Sequence, residues 1–108
     1  MRWYKHLYVG EKAKKKRFSM IQKIRFHKTQ LRAYVITPAI NGDNILDIYP
    51  AMVFDHPYYR EKNLLVLGIA ADYWEALEVA RQIISDVYTA TGSLDLELFL
   101  SGQKEQVT

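Results

Sequence analysis

The chain has 108 residues, 49% of them apolar, 13% aromatic and 25% charged, a balance that excludes wholesale disorder and fits one domain with a core of its own. It contains no cysteine, which excludes disulfides, thiolate catalysis and cysteine-ligated zinc and makes a cytoplasmic address the default. The formal charge of +3 hides an asymmetry: up to Ile36 eleven Lys and Arg face the single acid Glu11, whereas from Thr37 onward four face eleven acids, giving halves of about +10 and −7.

In chain order, residues 1–10 read as an N-terminal arm in which charges and aromatics interrupt any signal-peptide apolar core. Residues 11–28 fit two patterns. As a helix, Ala13, Met20, Ile21 and Ile24 gather in one arc, with Arg17 inside it and Phe18 and Phe26 outside. As a strand, Phe18, Met20, Ile24 and Phe26 point one way and Arg17, Ser19, Lys23, Arg25 and His27 the other, Ile21 and Gln22 being exceptions. The helix is preferred, because Lys-Ala-Lys-Lys-Lys-Arg has high helix propensity and a strand would leave the turn His27-Lys28-Thr29-Gln30 without Gly, Pro or Asn.

Leu31 to Thr37 is β-branched and aromatic, a strand stopped by Pro38. Asn41-Gly42-Asp43-Asn44 reads as a turn, Ile45 to Tyr49 as a helical turn before Pro50, and Ala51 to Lys62 as irregular structure. The continuous apolar run from Leu64 to Ala70 is expected of a strand buried on both faces, and it falls far short of the roughly 20 residues that span a bilayer. Asp72 with Glu75 three residues on forms a capping box that opens a long helix, and Gly92 ends it. Tyr73, Ala76, Leu77, Val79, Ala80, Ile83, Ile84, Val87, Tyr88 and Ala90 share its apolar half, an arc wide enough to pack on a sheet and touch a second element. Trp74 falls on the polar side, either as a partner anchor or as a ring folded back over the strand-helix turn. Leu94 to Leu100 alternates apolar and polar over its first five residues, the pattern of an edge strand joined to Leu64–Ala70 by a right-handed crossover, and residues 101–108 read as a frayed tail.

Trp3-Tyr4-Lys5, Tyr8-Val9-Gly10-Glu11 before a Lys-rich run, Tyr34-Val35-Ile36, Asp43-Asn44-Ile45-Leu46-Asp47-Ile48 and Gly68-Ile69-Ala70 with Glu75-Ala76-Leu77 together resemble a small uncharacterised bacterial protein family. The resemblance spans most of the chain and implies a compact α/β domain with a basic N-terminal helix. With no activity assigned to that family, it implies no catalytic or binding residue. The expected fold is a single small α/β domain: a short mixed or parallel sheet of about three strands, packed by one long amphipathic helix and a basic N-terminal helix.

Four chemistries compete. Lys12, Lys14, Lys15, Lys16, Arg17, Lys23, Arg25 and Lys28, preceded by Trp3, Tyr4 and Tyr8 among Arg2, Lys5 and His6, interleave cations and rings as a nucleic-acid surface does, although no recognised nucleic-acid motif is present. The same basic segment and the acidic remainder are mutually complementary, so the preferred role is a non-enzymatic interaction module that self-associates or docks a protein, by charge or through the edge strand. Trp3, Tyr4 and Tyr8 beside a polybasic run resemble an interfacial membrane anchor, but residues 11–28 lack a clean apolar face. For an enzyme the inventory is thin: His6, His27 and His56 are isolated, and no metal-ligand pair, phosphate loop or nucleophile in a recognisable context is present, so no catalytic residue, metal or cofactor is assigned. His56, Tyr58, Tyr59 and Arg60, with Trp74, make a secondary recognition patch.

Overall fold

A computed structural model of the chain describes residues 1–26, 32–40 and 44–107, with side chains as far as residue 102. Strands β1 (Arg2–Val9), β2 (Tyr34–Pro38), β3 (Leu46–Pro50) and β4 (Leu65–Ala70) form one mixed sheet in the order β1-β4-β2-β3. β1 runs parallel to β4, and β2 is antiparallel to both β4 and β3. Helices α1 (Arg17–Arg25) and α2 (Pro57–Glu61), with 3-10 segments at Lys14–Lys16 and Ala51–Asp55, cover one face, while α3 (Tyr73–Thr91) and α4 (Leu96–Val107) cover the other.

The apolar run of β4 follows from this sandwich. Leu64, Val66 and Ile69 belong to the layer beneath α1, and Leu67 and Ala70 to the layer beneath α3, so the strand has no solvent side on which polar residues would alternate. On α3, Ala76, Val79, Ala80, Ile83 and Val87 are buried, and Phe99 of α4 joins their cluster as the second element that the wide arc requires. Gly92 ends α3 at φ 74°, a left-handed conformation that glycine adopts without a Cβ penalty.

The N-terminus of α3 carries the densest polar contacts. Asp72 Oδ1 accepts from Glu75 N–H at 2.8 Å, as a cap should. The Glu75 carboxylate reaches past the cap residue to accept from the N–H groups of Ala71 at 2.9 Å, Lys12 at 2.6 Å and Ala13 at 3.2 Å. One side chain thereby joins the end of β4 to the turn that leads into α1. Gly10 makes room for it: a Cβ there would land on the Glu75 carboxylate. Farther along α3, Asp86 accepts from the Tyr8 hydroxyl at 2.5 Å and ties β1 to the helix. Tyr4 lies parallel to Tyr8, 6.4 Å away, with its hydroxyl buried and unpartnered.

Several sequence expectations are corrected. The arm at 1–10 is edge strand β1, whose aromatics fill both layers, Trp3 and Leu7 on one side and Tyr4 and Tyr8 on the other, so no simple alternation marks it. Ile45 to Tyr49 is no helical turn but most of β3, because Leu46 and Ile48 find an apolar layer beneath α3. The irregular stretch 51–62 holds the 3-10 segment and α2, which starts on Pro57 with His56 Nδ1 accepting from Tyr58 N–H at 3.2 Å. Leu94 to Leu100 is not a strand. Asp95 Oδ1 accepts from Leu98 N–H at 3.0 Å and starts α4, whose Leu96, Phe99 and Leu100 turn inward at helical spacing, leaving Leu94 and Leu98 exposed. The expected crossover therefore does not exist; the parallel pair is β1 with β4, and the sheet has four strands. The second strand begins at Tyr34 and includes Pro38; Leu31 and most of the Asn41–Asn44 turn lie outside the described residues.

Two stability predictions follow from these contacts. Gly10→Ala displaces the Glu75 carboxylate and should lower unfolding free energy by about 1–3 kcal/mol in urea titration, as overpacking does. Burial, then the nearby Asp86, raises the Tyr4 and Tyr8 pKa values, and burial, then Asp47, pushes Tyr49 up to about 12. The folded state thus keeps protons that the unfolded chain releases above pH 10.0. This stability is intact below that pH and is lost as pH rises through about 12. Tyr8→Phe should flatten the alkaline limb of a stability-against-pH curve; an unchanged limb would show that this phenol is not a source of it.

Candidate nucleic-acid interface

The path into α1 is set by one anchor and one turn. Ala13 is fully buried beneath the sheet face, and Lys14 N–H donates to Gly10 O at 3.0 Å, so the lysine run leaves the turn pointing outward. α1 then rolls Met20 and Ile24 inward with Ile21 half-buried, the arc that the helical reading required. The opposite side carries Phe18 at 81% exposure and Phe26 at 64%, with Gln22 and Arg25 between them along about 12 Å of axis.

The cations are not equivalent. Lys12 Nζ pairs with Asp72 Oδ2 at 2.8 Å, a hydrogen bond that raises the lysine pKa and lowers that of the carboxylate. Lys14 Nζ pairs with Glu11 Oε1 at 2.8 Å. Lys15, Lys16, Arg17, Lys23 and Arg25 are exposed, and no acid lies within ion-pair distance of them among the described residues. Lys28 lies outside those residues.

Trp3 and Tyr4 do not join this surface. Trp3 is half-buried in the layer beneath α1, and Tyr4 packs in the opposite layer beside Tyr8. The rings that do accompany the cations are Phe18 and Phe26, absent from the expected site. Their signal was present in the sequence: both fall off the apolar arc of a helix otherwise packed by Ala13, Met20 and Ile24.

The acids of the C-terminal half are largely engaged within the chain. Glu75 holds backbone N–H groups, Asp86 holds Tyr8, and Asp47 accepts from Tyr49 Oη at 2.9 Å and Ile40 N–H at 3.2 Å. Asp95 caps α4, and Glu78 pairs with Arg81. Of these acids only Glu78 is paired with a cation, as Asp72 is with Lys12; the others accept from neutral donors and keep their charge.

The secondary patch is partly structural. His56 caps α2, Tyr59 is half-buried against Tyr49, and Arg60 donates to the carbonyls of Phe54 at 2.9 Å and Asp55 at 2.6 Å. Tyr58 is half-exposed beneath Lys62 Nζ, 4.7 Å from its ring centre. Trp74 belongs to α3 on the other face of the sheet, exposed and in edge contact with Tyr73, so it neither joins the patch nor folds back over the turn as a buried ring. At the N-terminus of α3 the Asp72 carboxylate accepts from Glu75 N–H and the Glu75 carboxylate lies on Ala71 N–H just before it, and the two negative charges oppose an anion there.

Among the described residues, no group of three His, Asp or Glu could hold a metal ion and no helix is long and apolar enough to cross a membrane. An open groove of about 1240 Å³, with Tyr4, His6, Ile45, Leu96 and Leu100 among its lining, runs between the sheet end and α4, remote from the α1 cations. Comparison with protein-family models, curated proteins and solved structures yields no match to this chain.

The two sides of α1 should respond oppositely to truncation. Met20→Ala and Ile24→Ala should each cost about 2–5 kcal/mol of stability, whereas Phe18→Ala and Phe26→Ala should stay within about 0.5 kcal/mol by thermal or denaturant unfolding. Large losses at both Phe positions would mean that these rings are buried.

Proposed function

We propose that the protein is a non-enzymatic module that binds single-stranded nucleic acid through the outer face of α1 and the lysine run before it. The observation that carries this reading is that Lys15, Lys16, Arg17, Lys23 and Arg25 are exposed with no acid within ion-pair distance among the described residues, on the segment that also exposes Phe18 and Phe26. Cations of this kind exchange their counterions for phosphates, a gain that is independent of sequence and fades with salt. The rings distinguish strands: an unpaired base offers its face to Phe18 or Phe26, whereas a base in a duplex is already stacked. A protein partner joined by opposed charges has less to carry it, because Asp72 and Glu78 are already paired with Lys12 and Arg81.

Fluorescence anisotropy of labelled oligonucleotides tests the reading. If all five cations meet phosphates, log K against log salt should fall with a slope of about −3.5 for single strands. Replacing Lys15, Lys16 and Arg17 together by Ala should weaken binding to all sequences alike and reduce that slope by about 2. The Phe18→Ala/Phe26→Ala pair should weaken single-strand binding with little effect on duplex. Absence of binding at about 50 mM salt, or full affinity in the triple variant, would sink the assignment.

A further inference from the structure

Beside its buried side α3 carries a second exposed apolar feature, on the opposite side of the sheet from α1. Tyr73 is 47% exposed, Leu77 38% and Tyr88 60%, with Ile84 half-buried in line with them. At 100° per residue these four fall within a narrow stripe adjoining the buried face. Tyr34 extends it onto the sheet through an edge contact with Tyr73 at 5.8 Å, and Trp74, the most exposed ring of the helix, borders its start.

The spacing of the stripe reads the same in both directions: four residues, then seven, then four. A two-fold axis through the midpoint, between Ala80 and Arg81, sets Tyr73 against Tyr88 of a second copy and Leu77 against Ile84. Charge agrees with the same arrangement. Glu78 and Arg81 form an exposed ion pair beside the midpoint, so antiparallel apposition brings each guanidinium within reach of the carboxylate of the other copy. A contact that demands the same patch on both partners is isologous, the form that closes as a dimer.

We propose that two copies of this chain associate antiparallel along α3 through Tyr73, Leu77, Ile84 and Tyr88. The stripe is about 22 Å long, at the small end of specific interfaces, so the dimer is concentration-dependent. This contact differs from the charge-driven pairing expected from sequence, and pairing through an edge strand at Leu94–Leu100 is ruled out by α4.

Sedimentation equilibrium of the full chain and a cysteine-pair experiment test it together. The native protein should shift from monomer to dimer with concentration, and Leu77→Glu should raise the dissociation constant by about tenfold or more while leaving the near-ultraviolet circular dichroism unchanged. Because the chain has no cysteine, Tyr73→Cys and Tyr88→Cys, both at exposed positions, report orientation directly. Under mild oxidation with diamide the two variants should cross-link with each other in a mixture and scarcely with themselves. A monomer at all concentrations, a dimer indifferent to Leu77→Glu, or efficient coupling of Tyr73→Cys with itself would each overturn the proposal.

Discussion

The Glu75 carboxylate is the contact on which the rest of the arrangement depends. Three backbone N–H groups from two distant parts of the chain converge on it. Each is a donor that would otherwise be left at a helix start or in a tight turn, where an unmet N–H costs more than an average hydrogen bond contributes. By holding Lys12 and Ala13 at the start of α3, this side chain fixes where the lysine run begins and which side of α1 faces the sheet. The same contact explains a small residue at position 10. The basic surface of α1 is thus positioned by an acid that contributes nothing to that surface.

How much of this was readable in advance depended on whether local pattern and tertiary environment agreed. β4 and α3 were plain, because a strand covered on both faces is continuously apolar and Asp72, Glu75 and Gly92 punctuate the helix. α1 was only half readable, since residues 11–28 fitted a strand as well as a helix and propensity rather than pattern decided between them. β1 was not readable, since its rings serve two layers at once and leave no alternation to detect. At Leu94–Leu100 the period was misleading: leucines at 94, 96 and 98 alternate as in a strand, yet only Leu96 of these turns inward, with Phe99 and Leu100, and Asp95 acts as a cap. Within the candidate site the cluster of cations was legible, but their availability was not. The neutralisation of Lys12 by Asp72 joins residues 60 apart in sequence, which composition cannot anticipate.

The sheet also separates the two faces that remain unpartnered. α1 with its cations and phenylalanines lies on one side, and the tyrosine stripe of α3 on the other. A particle joined through α3 would carry two outward α1 faces, and a strand long enough to reach both would be held by the product of two weak contacts rather than by one strong one.

The parallel pairing of β1 with β4 has a kinetic side. Arg2 meets Leu65, so the first strand waits for a partner about sixty residues downstream, a delay of about 3–12 s during synthesis at ordinary rates. β2 and β3, neighbours in sequence, can zip together long before that, and β4 then enters between β2 and the waiting β1. In an assembly that follows synthesis, β1 is thus seated after β2 and β3 although it precedes them in the chain. Until then an aromatic, cationic edge strand is open to any chain that can add to it.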